Sequence, residues 1–101
     1  MKAKKVYVKV HIKDDLETIA CCDEELLNQV YKEGNLRIEI SSQFFGGNLI
    51  DLEDAISILR EASCFNIVGE KIIKRSVDCG ILPKEGVRSI NGVPMALKMV
   101  F

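Results

Sequence analysis

The sequence predicts an α+β fold, a two-layer sandwich with helices on one face of a mainly antiparallel sheet, and three observations predict it. Val6, Val8, Val10 and Ile12 alternate strictly with Tyr7, Lys9, His11 and Lys13, the period of a half-buried strand. Apolar residues recur at helical spacing in the middle of the chain. Near its end Asn91-Gly92 marks a hairpin, because a type I′ turn needs positive φ at both central residues. Strands with helices inserted between them give the order β-β-α-β-α-α-β-β. At 101 residues and 48% hydrophobic, residues 1–101 read as one domain with a modest core.

Each element has its own local reason. Asp14-Asp15 supplies the first turn, and residues 17–22 return as a second strand through Thr18, Ile19 and Cys21. Asp23 reads as a helix N-cap with Glu24 and Glu25 in the first turn. Leu26, Leu27, Val30 and Tyr31 give that helix its stripe, and Gly34 ends it. Leu36, Ile38 and Ile40 alternate with Arg37, Glu39 and Ser41 as a third strand.

After "QFFGGNLI", Asp51 caps a second helix whose apolar face is Leu52, Ala55, Ile56, Leu59 and Ala62. A third helix is expected from about Asn66 to Cys79, with Val68, Ile72, Ile73 and Val77 inward. Gly69 would let a neighbour approach closely, and Gly80 stops the helix ahead of Pro83. In the tail, Ile90, Val93, Met95, Leu97 and Met99 share one face, and Arg88 falls on it too. Arg88 therefore belongs at a rim, or that face is not wholly buried. Pro94 donates nothing to a ladder and is expected to face an edge or a bulge.

Charge is uneven although the net charge is −1. Lys2, Lys4, Lys5, Lys9 and Lys13 open the chain without an acid, and Asp14, Asp15, Glu17, Asp23, Glu24 and Glu25 follow without a base. A polyanion would be drawn to one face, not to the whole molecule. Lys9, His11 and Lys13 interrupt any apolar run at the amino end, so a cytosolic protein with no membrane partner is expected. Cys21, Cys22, Cys64 and Cys79 then read as buried thiols. They show no paired C-x-x-C spacing, and Cys21 and Cys22 would point to opposite faces of a strand, so no metal site and no cofactor are implied.

Catalytic residues are not expected either. The alternative is an enzyme using His11, the only histidine, with a nearby cysteine, which by hairpin register could be Cys21 or Cys22, although no third group to orient the histidine is evident. Gly46-Gly47 fits neither a Walker loop nor a dinucleotide fingerprint. Asp51, Glu53 and Asp54 crowd the following helix start and disfavour an anion there. The glycines read as turn residues with unusual φ, and at least one of Phe44 and Phe45 as a buried plug. Two surfaces remain. Tyr7, Lys9, His11 and Lys13 on an open sheet face, with Lys71, Lys74 and Arg75 on a helix, suit RNA or a ribonucleoprotein. Phe44, Phe45 and a carboxy-terminal edge strand suit a protein partner or self-association.

The stretches "YVKVH", "CDEELL", "EG-L-R-I-E-I", "FFGG", "NIVGE" and "GVP" occur in that order. Together, over roughly residues 6–100, they resemble an archaeal family of small proteins catalogued as domain of unknown function 424. The resemblance implies an archaeal source and a two-layer α+β fold, and it implies no activity, substrate, cofactor or site residue. The lysine-rich start, Lys2 to Lys5, departs from the family pattern.

Overall fold

The computed structural model describes residues 4–99, so Lys2 lies outside the described part. Strands β1 (Lys5–Lys13) and β2 (Leu16–Asp23) form the first hairpin, with Val8 opposite Cys21 and His11 opposite Thr18. Asp14 and Asp15 take φ of 52° and 67° in its two-residue turn, as a type I′ connection requires. Strands β3 (Val30–Glu33) and β4 (Leu36–Glu39) make a second hairpin, and a one-turn helix α1 (Ser42–Phe45) follows. Then come β5 (Asn48–Asp51), α2 (Leu52–Glu61), β6 (Cys64–Val68) and α3 (Glu70–Asp78). The chain closes with β7 (Arg88–Ile90) and β8 (Val93–Lys98), joined by Asn91 and Gly92 at φ 50° and 82°.

Six strands form one sheet in the order β5-β1-β2-β6-β8-β7, antiparallel except where β2 lies parallel to β6. The predicted α+β class and the helical layer are present. Val6, Val8, Ile19, Phe65 and Ile67 meet Leu59, Ile72 and Ile73 of α2 and α3 on one face. The opposite face carries a second cluster, in which Ala20, Cys22 and Val68 pack under Ile40 and Phe45. Hairpin β3–β4 and α1 thus cover part of the face that helices leave free.

Two predicted helices are corrected. Residues 23–34 do not form one: a 3-10 turn at Glu24–Leu26 leads into β3, and Asn28 takes a left-handed φ of 71° that breaks any helix. Gly34, at φ 58°, turns the β3–β4 hairpin instead of capping a helix. Burying Leu26, Leu27 and Tyr31 against the sheet outweighs their helical spacing. The third helix does not start at Asn66, because Cys64–Val68 is a central strand. A short apolar run bounded by glycine fits a buried strand and a buried helix equally well by pattern alone.

The tail is corrected too. Strand β8 lies between β6 and β7, so it is not an edge. Ala96 is its core residue, whereas Leu97 and Met99 are 63% and 52% exposed. Arg88 sits exposed on the edge strand β7. Pro94 lies just past Met95, the last residue paired with β6, and its carbonyl accepts from Gly69 N at 2.9 Å.

Asp23, expected to cap a helix beginning at residue 24, caps α3 instead. Its buried carboxylate accepts from Lys71 N at 2.9 Å and Ile72 N at 3.0 Å, two of the orphan donors at that helix start. Burial raises this carboxyl above its ordinary value, against the pull of the two N–H bonds. Gly69 makes room for it: at φ 127°, an added Cβ would lie 2.3 Å from Asp23 Cγ. Asp51 stands at the α2 start without a side-chain cap bond and pairs with Lys5 at 3.7 Å. Asp23→Ala is therefore expected to cost about 3 kcal/mol in urea unfolding. Gly69→Ala should cost more than Gly80→Ala, which shares a positive φ but faces open space.

Candidate functional site

Helix α1 has a single turn, too short to stand alone. Ser41 caps its start, its Oγ accepting from Phe44 N at 3.2 Å. At its end Gly46 N donates to Ser42 O and Gly47 N to Phe45 O, which leaves the carbonyls of Gln43 and Phe44 without backbone donors. Strand β1 supplies them. Lys9 Nζ donates to Gln43 O at 2.6 Å, and His11 Nε2 donates to Phe44 O at 2.7 Å. A carbonyl can only accept, so Nε2 carries the hydrogen. The His11 ring stacks on Phe44 with centroids 4.6 Å apart, and Phe44 meets buried Phe45 edge-on at 4.9 Å.

Gly47 holds α1 against the strand, and Gly46 closes the end of α1 tightly on its own first residue. A Cβ on Gly47 would fall 2.1 Å from Val8 O and 2.8 Å from Lys9 Cα, and one on Gly46 would fall 2.5 Å from Ser42 O. Neither is among the positive-φ glycines, so close approach is what requires them, not unusual φ. Where Gly47 crosses, the pairing of β1 with β5 stops, having covered only Lys5–Val8.

Beyond that point one edge of β1 is open. The closing pair Lys13–Leu16 of a two-residue hairpin is hydrogen-bonded, so odd residues of β1 bond to β2 and even ones point outward. Lys4 O, which accepts from Leu52 N at 2.8 Å, confirms the phase. Among the described residues nothing engages the backbone N–H and C=O of Val10 and Ile12. Their side chains, 48% and 72% exposed, extend the aliphatic row past the helices. A nine-residue strand spans roughly 30 Å and a ten-residue helix roughly 15 Å, so α2 cannot cover the whole row. On the other face of this arm lies a groove of about 620 Å³ lined by His11, Ile12, Lys13, Leu16, Thr18 and Phe44.

The structure thus gathers five of the nine singled-out residues beside one another. Tyr7 packs at the margin of the second cluster, Lys9 and His11 clamp α1, Phe45 is buried, and Phe44 is half-buried. Lys13 stands exposed at the end of the arm. Lys71, Lys74 and Arg75 lie on α3, across the sheet. Arg75 makes a two-pronged pair with Glu53 at 2.8 and 3.0 Å, and Lys71 pairs with Glu25 at 2.8 Å. These partners hold the carboxyls of Glu53 and Glu25 below their ordinary range. Only Lys74 of the three has no ion pair among the described residues.

No thiol comes within hydrogen-bond reach of His11. Across the sheet its neighbours are Thr18 and then Cys64, two strand spacings or roughly 10 Å away. Cys22 lies four rungs along β2 from Thr18, and burial pushes its thiol up to about 12. Among the described residues no cluster of His, Cys, Asp and Glu could hold a metal ion, and no helix is long and apolar enough to cross a membrane.

The fold and the clamp define a small mixed-sheet α+β domain with one strand edge left open. The chain belongs to the family described as "Protein of unknown function (DUF424)", whose model matches residues 10–101. That match begins within the "YVKVH" stretch and leaves the lysine-rich start outside it. The crystal structure of an uncharacterized conserved protein from Methanopyrus kandleri is similar, with a TM-score of 0.80 and 26% sequence identity over 92% of this chain and 89% of that one. No curated protein matches the chain.

The open edge was missed in the sequence because Val10 and Ile12 continue the same alternation as buried Val6 and Val8. The adjacent glycines were its one local signal. His11→Ala combined with Lys9→Met should loosen α1 at a cost of about 2 kcal/mol. In spectra of that variant the ring resonances of Phe44 should shift more than those of Phe65, which packs on the far side of the sheet.

Proposed function

We propose that this protein is a non-catalytic binding module whose partner is another protein, held on the β1–β2 arm. One observation carries the reading: Val10 and Ile12 are 48% and 72% exposed side by side on one face of a well-paired hairpin, and Leu16, 44% exposed, lies on its other face beside half-buried Phe44. Clustered exposed apolar side chains on a rigid element are the usual mark of a protein interface. RNA is the second reading, supported by the His11–Phe44 stack beside Lys13, which has no ion pair among the described residues. It ranks lower because Lys9, Lys71 and Arg75 are already occupied and the net charge is −1. Four free thiols and the family resemblance support an archaeal cytosol as its setting.

Affinity capture from native cell extract, with and without ribonuclease, separates the readings. Wild type should retain a protein partner after ribonuclease, and Ile12→Lys should lose it by roughly tenfold or more, since a buried unpaired lysine is costly. Capture that disappears with ribonuclease, or that Ile12→Lys leaves intact, would contradict a protein partner on this arm.

A further inference from the structure

We infer that the cavity between the β3–β4 hairpin and strands β7 and β8 binds a free amino acid whose long, uncharged side chain ends in a polar tip. This cavity lies at the far edge of the sheet from the β1–β2 arm, so the inference goes beyond the protein-interface reading.

The cavity holds about 640 Å³, within the range of small-molecule sites, and Leu36, Met95 and Leu97 give it apolar walls. Leu36 comes from the hairpin, which Glu33 ties to the β7–β8 turn by accepting from Asn91 N at 2.8 Å. Leu36 and Leu97 are 56% and 63% exposed, and a ligand lying between them would bury that area.

The polar groups around it come in complementary pairs. Glu85, in the 3-10 turn Lys84–Gly86, and Arg88, at the start of β7, both line the cavity. Neither has an ion pair among the described residues. Ser89 lines it as well. The closing pair Ile90–Val93 of a two-residue hairpin is hydrogen-bonded, so the N–H and C=O of Ser89 point away from β8. Among the described residues no backbone bond engages them.

One cation, one anion, one donor and one acceptor therefore face the same space. A simple anion would be repelled by Glu85 and a simple cation by Arg88, whereas a zwitterion suits both. Its carboxylate would meet Arg88 and Ser89 N–H, and its ammonium would meet Glu85 and Ser89 O. The outward N–H and C=O of one strand residue lie side by side, as the two charged groups of an amino acid do.

Asn66 sets the far end. It pairs with Leu97, and Arg88 pairs with Met95 on the same face, which puts Asn66 and Arg88 roughly 12 Å apart at Cα. A side chain running from Arg88 along Leu97 ends near the Asn66 amide, which lines the cavity half-buried in a central strand. That amide has no hydrogen bond among the described residues, so a polar tip is favoured over an apolar one.

Isothermal titration calorimetry with L-glutamine tests this against three analogues. Glutaramate lacks the ammonium, γ-aminobutyramide lacks the carboxylate, and L-norleucine lacks the polar tip. Glutamine should bind wild type, and each analogue should bind roughly tenfold or more weakly. Arg88→Gln should close the gap between glutamine and γ-aminobutyramide, and Glu85→Gln the gap between glutamine and glutaramate. Both positions are exposed, so both variants should fold as wild type does. Asn66→Leu should invert the order of glutamine and norleucine.

No binding of glutamine up to about 10 mM, analogues bound as tightly as glutamine, or charge variants that behave like wild type would overturn the amino-acid site. Norleucine bound as tightly as glutamine by wild type would overturn the polar tip and the role of Asn66. Capture with Ile12→Lys reads the arm alone, so failure here leaves the protein-interface reading untouched.

Discussion

Gly47 passes so close to β1 that a single methyl group would overlap Val8 O, and much of the molecule follows from that contact. It ends the β1–β5 ladder at Val8 and brings the carboxyl end of α1 over Lys9 and His11. It also leaves the outer half of β1 without a partner strand. The glycine pair thus couples a structural clamp to an open edge. The close approach of Gly69 to Asp23 repeats the device on the other face, where it fixes the start of α3.

The clamp changes what the basic strand face can do. Lys9 and His11 hold two helix carbonyls that would otherwise lack donors, and cationic or hydrogen-bonding groups are favourable at a helix C-terminus. Their side chains are committed to the fold before any ligand arrives. On α3 the guanidinium of Arg75 and the ammonium of Lys71 are committed to Glu53 and Glu25. Basic residues counted along the chain therefore overstate the charge offered to a polyanion. Exposed apolar groups on the arm are the larger unassigned resource.

Much of the fold was legible because pattern and turn chemistry agreed. The alternation of residues 6–13, the Asp14-Asp15 and Asn91-Gly92 turns and helix α2 were all readable locally. Residues 26–31 misled because Leu26, Leu27 and Tyr31 share helical spacing yet bury against a sheet face that sequence cannot display. Cys64–Val68 misled because a buried central strand lacks alternation. Of the site, the residue types were legible and their roles were not. His11, Lys9 and Phe44 lie more than thirty positions apart in pairs that meet only after folding. The open edge depends on where a neighbouring strand ends, which no local pattern records.

Residue-resolved amide hydrogen exchange along β1 addresses the open edge most directly. Val6 and Val8, bonded to β5, and Tyr7, Lys9 and His11, bonded to β2, should exchange slowly. Val10 and Ile12 should exchange faster by orders of magnitude, giving an alternation confined to the outer half of the strand. Slow exchange at Val10 and Ile12 in the free protein would mean that this edge is already paired, and would contradict it.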